Sequence, residues 1–280
     1  MTSPGGEFRK LVADDVRWHL LEELAKSDRK VQELVASAGR PQNLVSYHLG
    51  RLRRAGLVTQ HRSAADGRDL YYQLDLDRFT ELYLSAAVDV QPALALVRPA
   101  IARLIDGELT PLEEPSAAEA LSDRWRILFV CTANSARSQM AEAFTRELSE
   151  NMLRGLSWGP VLAESAGTDP RPVHPMTIRV MNDLGVSTVG QRSKSLEEVR
   201  HHGFHRVITL CDKAREVCPP IPGVADPVHW SLPDPSEVDG SDEEVYQAFR
   251  EVALAIAARV RHLLAQVGAE RKGAAANAKR

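Results

Sequence analysis

Aromatic residues make up only 5% of the 280 positions, so Leu, Val and Ala must fill whatever cores the chain builds. No stretch approaches the ~20 consecutive apolar residues that cross a bilayer, and Met1 to Lys10 holds no apolar signal core. A cytoplasmic location with no membrane partner is therefore expected. Cysteine is scarce: Cys131, Cys211 and Cys218 are the only three, and residues 1 to 130 have none. An odd count in a cytosolic chain excludes a structural disulfide framework and leaves reactive or buried thiols. Charge of either sign is not in excess, with 35 Lys and Arg against 38 Asp and Glu. No global basicity points to nucleic acid, so any basic surface must be local. Repeats with a period of 20 to 50 residues are also missing, which excludes solenoids.

The length suits two domains of roughly 100 to 200 residues each. Between Gly107 and Asp123 lie five acids, two prolines and no base, the pattern of a linker. This places a first domain over residues 8–106, an acidic linker over 107–123 and a second domain over 124–267. The Ala-rich segment 268–280 lacks an apolar face and reads as a flexible tail.

In the first domain, Val12, Val16, Leu20, Leu21 and Leu24 recur at helical spacing. The runs VQELVASAG and RPQNLVSYHLGRLRRAG then predict two short helices broken at Gly39 to Pro41, a helix-turn-helix pattern. Two strand-like runs around a turn at Ala65 to Gly67 predict a hairpin wing, and helix resumes from Phe79 with an interruption near Pro92. From Arg40 to Arg68 there are six arginines (40, 51, 53, 54, 62 and 68) against one acid, Asp66. This is the local basic surface that the near-neutral total conceals. On the second helix, Leu44, Val45, Leu49 and Leu52 read as core. Gln42, Asn43, Ser46 and Tyr47 are left for base edges and phosphates, Arg40 and Arg51 are further DNA-binding candidates, and Arg62 and Arg68 flank the wing turn. The pattern resembles the ArsR-type winged-helix repressors over about residues 10 to 85. That resemblance implies double-stranded DNA as partner and a homodimer formed by helices before the helix-turn-helix and after the wing, Phe79 to Val88 among them. Arsenite-sensing members use cysteine thiolates, which this domain lacks, and it has no His and acid set for a zinc sensor.

From Trp125 the rhythm becomes strand, loop, helix. RILFVC, VLAESAG, RVITLC and VHWSL are strand candidates, with helices from Ser138, at 175–185 and at 242–265. Such alternation predicts a parallel four-stranded sheet in a three-layer α/β/α domain, with ligands beyond the carboxyl ends of the strands. The expected fold class is thus α+β multidomain, a winged helix-turn-helix followed by this α/β/α domain.

The run VCTANSARSQMAEAF carries the chemistry. Cys131 ends a strand, Thr132, Ala133, Asn134, Ser135 and Ala136 form a loop, and Arg137 with Ser138 opens a helix. Successive backbone N–H groups and the helix N-terminus make an oxyanion site there. The same field favours a Cys131 thiolate over the thiol, Arg137 can grip a tetrahedral oxyanion through two parallel hydrogen bonds, and Ser138 can donate to the sulfur.

With SAGT at 165–168, HPMTIRVMNDLGV at 174–186 and Asp234-Pro235 after HWSLP, these residues resemble the low-molecular-weight protein tyrosine phosphatase family, whose fold includes the thioredoxin-coupled arsenate reductases. Ala133 and Ala136 depart from the Gly and second Cys that many members carry. The resemblance implies Cys131 as nucleophile and Asp234 as general acid. Chemistry at Cys131 alone does not separate phosphate ester cleavage from arsenate reduction, because the two anions share shape and charge. The spacing of Cys211 and Cys218 resembles the redox pair of the reductases. It implies a 131–211 disulfide followed by a 211–218 disulfide, with thioredoxin as external reductant and no tightly bound cofactor. Seven residues of helix would set the Cα atoms of Cys211 and Cys218 ~10 Å apart, so this segment must unwind before they pair. The family's potassium site corresponds to Asn134, Glu142 and Ser165, but Lys194 stands where an acidic ligand is expected, and no bound potassium is predicted. The histidines at 200–205 lack the cysteines or paired carboxylates of a metal site. Three readings remain open: an arsenate reductase carrying a DNA-binding domain, a regulator that reads the redox state of its enzyme domain, and a phosphatase with a regulatory module.

Overall fold

The computed structural model describes residues 4–90, 125–152 and 161–278, so the acidic linker and the break near Pro92 lie outside the described residues. The described chain forms two compact units, one made of residues up to Val90 with Val228–Ser231, the other of the rest.

The first unit begins with α1 (Pro4–Val12) and α2 (Asp15–Lys26), separated where the Asp14 carboxylate accepts the Arg17 N–H and caps α2. After the two-residue strand β1 (Arg29–Lys30) come α3 (Val31–Ala38) and α4 (Gln42–Arg54). Gly39 ends α3 at φ 57°, a left-handed position that glycine adopts without penalty. The expected helix-turn-helix is present. β2 (Val58–Arg62) and β3 (Leu70–Leu74) pair antiparallel with Arg62 opposite Leu70, and the sheet order is β1-β3-β2. α5 (Leu76–Val90) follows and packs on α1. Leu20, Leu24, Leu34, Val45, Leu49, Leu52 and Leu57 form the buried core.

One expected core position is corrected. Leu44 is 37% exposed, while His48 is buried and faces Arg17 and Asp14. The buried set 45, 48, 49 and 52 follows the i, i+3, i+4, i+7 stripe of one helix face, and position 44 falls off that stripe.

The second unit is built on β4 (Arg126–Cys131), β5 (Leu162–Gly167) and β6 (Arg206–Thr209), in the order β5-β4-β6. Both β5 and β6 run parallel to β4, whose residues Ile127 to Cys131 are all buried, as a central strand covered on both faces requires. α6 (Arg137–Met152) lies on β4 and β5, backed by α7 (Pro175–Asp183) and the long α10 (Asp242–Ala278); the short α8 (Leu196–Val199) meets β5, and α9 (Asp212–Val217) meets β4 and β6.

Two boundaries differ from expectation. β6 stops at Thr209, so Cys211 does not end the strand but occupies the N-cap position of α9. α10 continues through Ala278 instead of giving way to a loose tail near 267. Alanine carries the best intrinsic helix propensity, which extends a helix even without an apolar face.

Candidate active site

The carboxyl ends of β4 and β6 bring the site together. Val130 pairs with Thr209, and the Leu210 N–H donates to the Val130 carbonyl at 2.7 Å, so Cys131 and Cys211 emerge side by side from adjacent strands. Parallel neighbours lie ~4.8 Å apart.

The loop from Cys131 to Arg137 is shaped by its carbonyls. Those of Cys131, Thr132, Ala133 and Ser135 accept the N–H groups of Thr168, Asp169, Arg171 and His174 respectively, at 2.9 to 3.3 Å. The Asn134 carbonyl accepts from Gln139 Nε2 at 3.0 Å. In a planar trans peptide the next N–H points the opposite way, so turning the carbonyls outward turns the N–H groups toward the interior of the loop. The Asn134 N–H donates to Cys131 Sγ at 3.2 Å. Asn134 itself sits at φ 46°, a left-handed geometry that asparagine tolerates better than most residues. It is held there by two side-chain bonds, Nδ2 to Ser138 Oγ at 2.8 Å and Oδ1 from the Lys194 N–H at 2.7 Å. Because Asn134 uses a Ser138 lone pair, the Ser138 proton is left for Cys131 Sγ, 3.0 Å away. Gly167 closes the back of the loop. A Cβ there would lie 2.7 Å from the Thr132 oxygen and 2.9 Å from the Asn134 nitrogen.

Arg137, 4% exposed, opens α6 and donates from Nη1 to the Leu232 carbonyl at 3.1 Å and from Nη2 to the Asp234 carboxylate. Its buried Nε has no hydrogen-bond partner among the described residues. A buried guanidinium N–H without an acceptor is costly, and an oxyanion held by the loop and the helix N-terminus would supply one. Asp234 also caps the turn Pro235–Glu237 by accepting from the Ser236 N–H, and its side chain remains 23% exposed. One carboxylate thus reaches both Arg137 and solvent.

Cys211 is buried, with Sγ 3.3 Å from Thr132 Oγ1. Cys218 stands at the far end of α9, partly buried, and burial pushes its thiol above the usual cysteine range. Of the residues that correspond to the family's potassium site, Glu142 and Ser165 are in contact: Ser165 donates to Glu142 Oε2, and the Lys194 ammonium is 3.3 Å from the same oxygen. Among the described residues no group of three or more His, Cys, Asp or Glu could hold a metal ion.

The structure thus gathers Cys131, Thr132, Ala133, Asn134, Ser135, Ala136, Arg137, Ser138, Cys211 and Asp234 at one place and holds Cys218 a helix away. Sequence reasoning missed Gln139, which braces the loop by donating to Asn134 and Arg192 carbonyls, and Ser193, which donates to the Ala133 carbonyl. Neither has a spacing that advertises it.

The family described as low molecular weight phosphotyrosine protein phosphatase matches residues 126–273, more than half of the chain. The chain belongs to that family. Among curated relatives, an arsenate reductase of Halalkalibacterium halodurans is 34% identical over 135 residues, covering 48% of this chain and 91% of the relative. One of Bacillus licheniformis is 32% identical over the same shares. The solved arsenate reductase of Archaeoglobus fulgidus is 27% identical, covering 50% of this chain and 98% of its own, with a TM-score of 0.39. A MarR-family model matches residues 14–69, where the sequence resembles the ArsR type. The chain therefore joins a regulator domain to an enzyme domain of the phosphatase family whose relatives include arsenate reductases.

On the regulator domain, all eight residues expected to face DNA are exposed: Arg40, Gln42, Asn43, Ser46, Tyr47, Arg51, Arg62 and Arg68. Arg62 Nη1 donates to the Gly67 carbonyl at 2.8 Å, and Arg68 pairs with Asp66 through Nε and Nη2 at 3.1 and 2.9 Å. That pairing holds the Asp66 carboxyl down to about 2. Among the described residues no helix is long and apolar enough to cross a membrane.

Proposed function

We propose that the protein reduces arsenate to arsenite by a three-cysteine relay renewed by thioredoxin, and that its first domain binds double-stranded DNA as a homodimer. The observation that supports the reading above the others is the second thiol, Cys211, placed within reach of the loop that carries Cys131. Phosphate ester cleavage has no use for it.

Arsenate binds to the inward N–H groups and Arg137. The Cys131 thiolate attacks arsenic, an As–O bond breaks, and Asp234 protonates the departing oxygen so that it leaves as water. The Cys211 thiolate then attacks Cys131 Sγ. The S–As bond breaks with its electron pair going to arsenic, which leaves as arsenite, and a 131–211 disulfide remains. Cys218 attacks Cys211 Sγ and frees the Cys131 thiolate, giving a 211–218 disulfide. Six residues of α9 separate the pair, so α9 unwinds for this step, aided by Pro219 and Pro220, which already stop the helix. Two thiols of thioredoxin restore the dithiol.

The test is arsenite formation from arsenate with thioredoxin, thioredoxin reductase and NADPH. No NADPH consumption above the arsenate-free rate, with the three cysteines reduced at the start, would overturn the reading. A phosphatase reading would use the same Cys131, Arg137 and Asp234; it requires aryl phosphate turnover that survives Cys211→Ser.

A further inference from the structure

A buried ion pair lies behind the anion loop, and its two charged groups have no part in the chemistry assigned above. Lys194 Nζ is 3.3 Å from Glu142 Oε2, with side chains only 12% and 11% exposed. Three elements meet there: Glu142 on α6, Ser165 on β5, which donates to Glu142, and the segment of Lys194. The backbone of that segment is tied to the loop on two sides. The Lys194 N–H donates to Asn134 Oδ1 at 2.7 Å, and the Lys194 carbonyl accepts from Gly167, the residue pressed against Thr132 and Asn134. Asn134 in turn holds Ser138, and Ser138 faces the Cys131 sulfur.

We infer that Lys194 is a positioning residue for the anion loop. Its ammonium satisfies the Glu142 carboxylate, and that pairing holds its backbone where it locks Asn134 in the left-handed geometry that oxyanion binding requires. Without the ammonium the Glu142 carboxylate keeps only the Ser165 hydroxyl, and a buried charge that is not compensated is strongly disfavoured, so Glu142 is drawn toward another cation or donor and pulls on α6, whose N-terminus forms the site. The pair therefore couples charge at a remote position to the aim of the loop N–H groups. This rests on the proposed reading of the loop as an oxyanion site.

The test is calorimetric titration of the full chain with inorganic phosphate, in a buffer whose only cation is tetramethylammonium, too large for the lysine space. Lys194→Ala is expected to raise the phosphate Kd about tenfold, the scale of one well-placed hydrogen bond to a charge. Ethylammonium, which replaces the missing side-chain end, should recover most of that loss in the variant and leave the natural protein unchanged. Equal phosphate affinity of variant and natural protein overturns the inference, as does a loss that ethylammonium leaves unaltered. If Lys194→Ala does not fold, the doubly neutral Glu142→Gln/Lys194→Met protein serves instead. It should bind phosphate weakly with no response to ethylammonium, and affinity equal to that of the natural protein overturns the inference. Failure of the natural protein to bind phosphate at all would sink the oxyanion reading itself, a result distinct from these.

Discussion

Cys211 Sγ lies 3.3 Å from Thr132 Oγ1, one residue along the chain from Cys131. The contact follows from strand register, since Val130 pairs with Thr209 and the two chains leave the sheet together. A thiol in that position is kept near the nucleophile before any substrate arrives. Cys131→Ser is expected to abolish arsenate turnover. Cys211→Ser should allow phosphate binding and no NADPH-coupled cycling, and Cys218→Ser at most slow cycling. Steady turnover in either the Cys131 or Cys218 variant contradicts the relay.

Arg137 donates along two directions and keeps a third N–H buried with no partner among the described residues. Lysine offers a point charge with no planar fork. Arg137→Lys should therefore weaken phosphate binding and lower kcat/KM by about 10²-fold, the usual cost of losing one preorganised anion donor. Phosphate titration and arsenate kinetics check both, and an unchanged kcat/KM removes Arg137 from the site.

Burial holds the Cys218 thiol above its ordinary range. Less of it is thiolate at neutral pH, so the exchange that converts the 131–211 disulfide to the 211–218 disulfide should accelerate as pH rises. Below the raised pKa, the rate climbs about tenfold per pH unit. Acid-quenched single turnovers with mass-spectrometric mapping of the disulfides would show this. A flat profile above neutrality means that Cys218 reacts only after leaving its buried setting.

Gly167→Ala tests the tightness of the loop. The added methyl would sit 2.7 Å from a backbone oxygen that has no room to yield. Overpacking of this type costs about 1–3 kcal/mol. Thermal unfolding should register that loss, and phosphate affinity should fall with it.

On the regulator domain, Arg68 is paired with Asp66, whereas Arg40 and Arg51 stand exposed on and before α4. Neutralising Arg40 or Arg51 should each lower the slope of log affinity against log salt by about 1, as expected for one phosphate contact. Arg68→Ala should change it less. Fluorescence anisotropy on promoter fragments at several salt concentrations measures this, and no binding at low salt removes DNA from the list of partners.

Much of this was legible because its signals are local. A strand that ends in cysteine, a small-residue loop and an Arg-Ser helix start needs no long-range information, and Gly39 marks the break in the helix-turn-helix by itself. What the sequence concealed depends on partners far along the chain. Gln139 looks like any polar helical residue until the Asn134 and Arg192 carbonyls are placed beside it. Leu44 was misplaced because four apolar residues on one helix invite a common face, while the buried stripe admits His48 through its contacts with Arg17 and Asp14. Cys211 lies past its strand because β6 ends with its last pairing to β4 at Thr209, a limit set by the neighbour.

The outward ties of the loop carbonyls to residues 168–174 have a consequence for selectivity. The scaffold, not the guest, dictates the shape of the cup, so any tetrahedral oxyanion of matching size gains entry on nearly equal terms. Discrimination must then be kinetic, settled by whether the central atom accepts a pair of electrons from sulfur. On the proposed activity, phosphate would act as a standing competitor and would set the threshold of arsenate at which turnover begins.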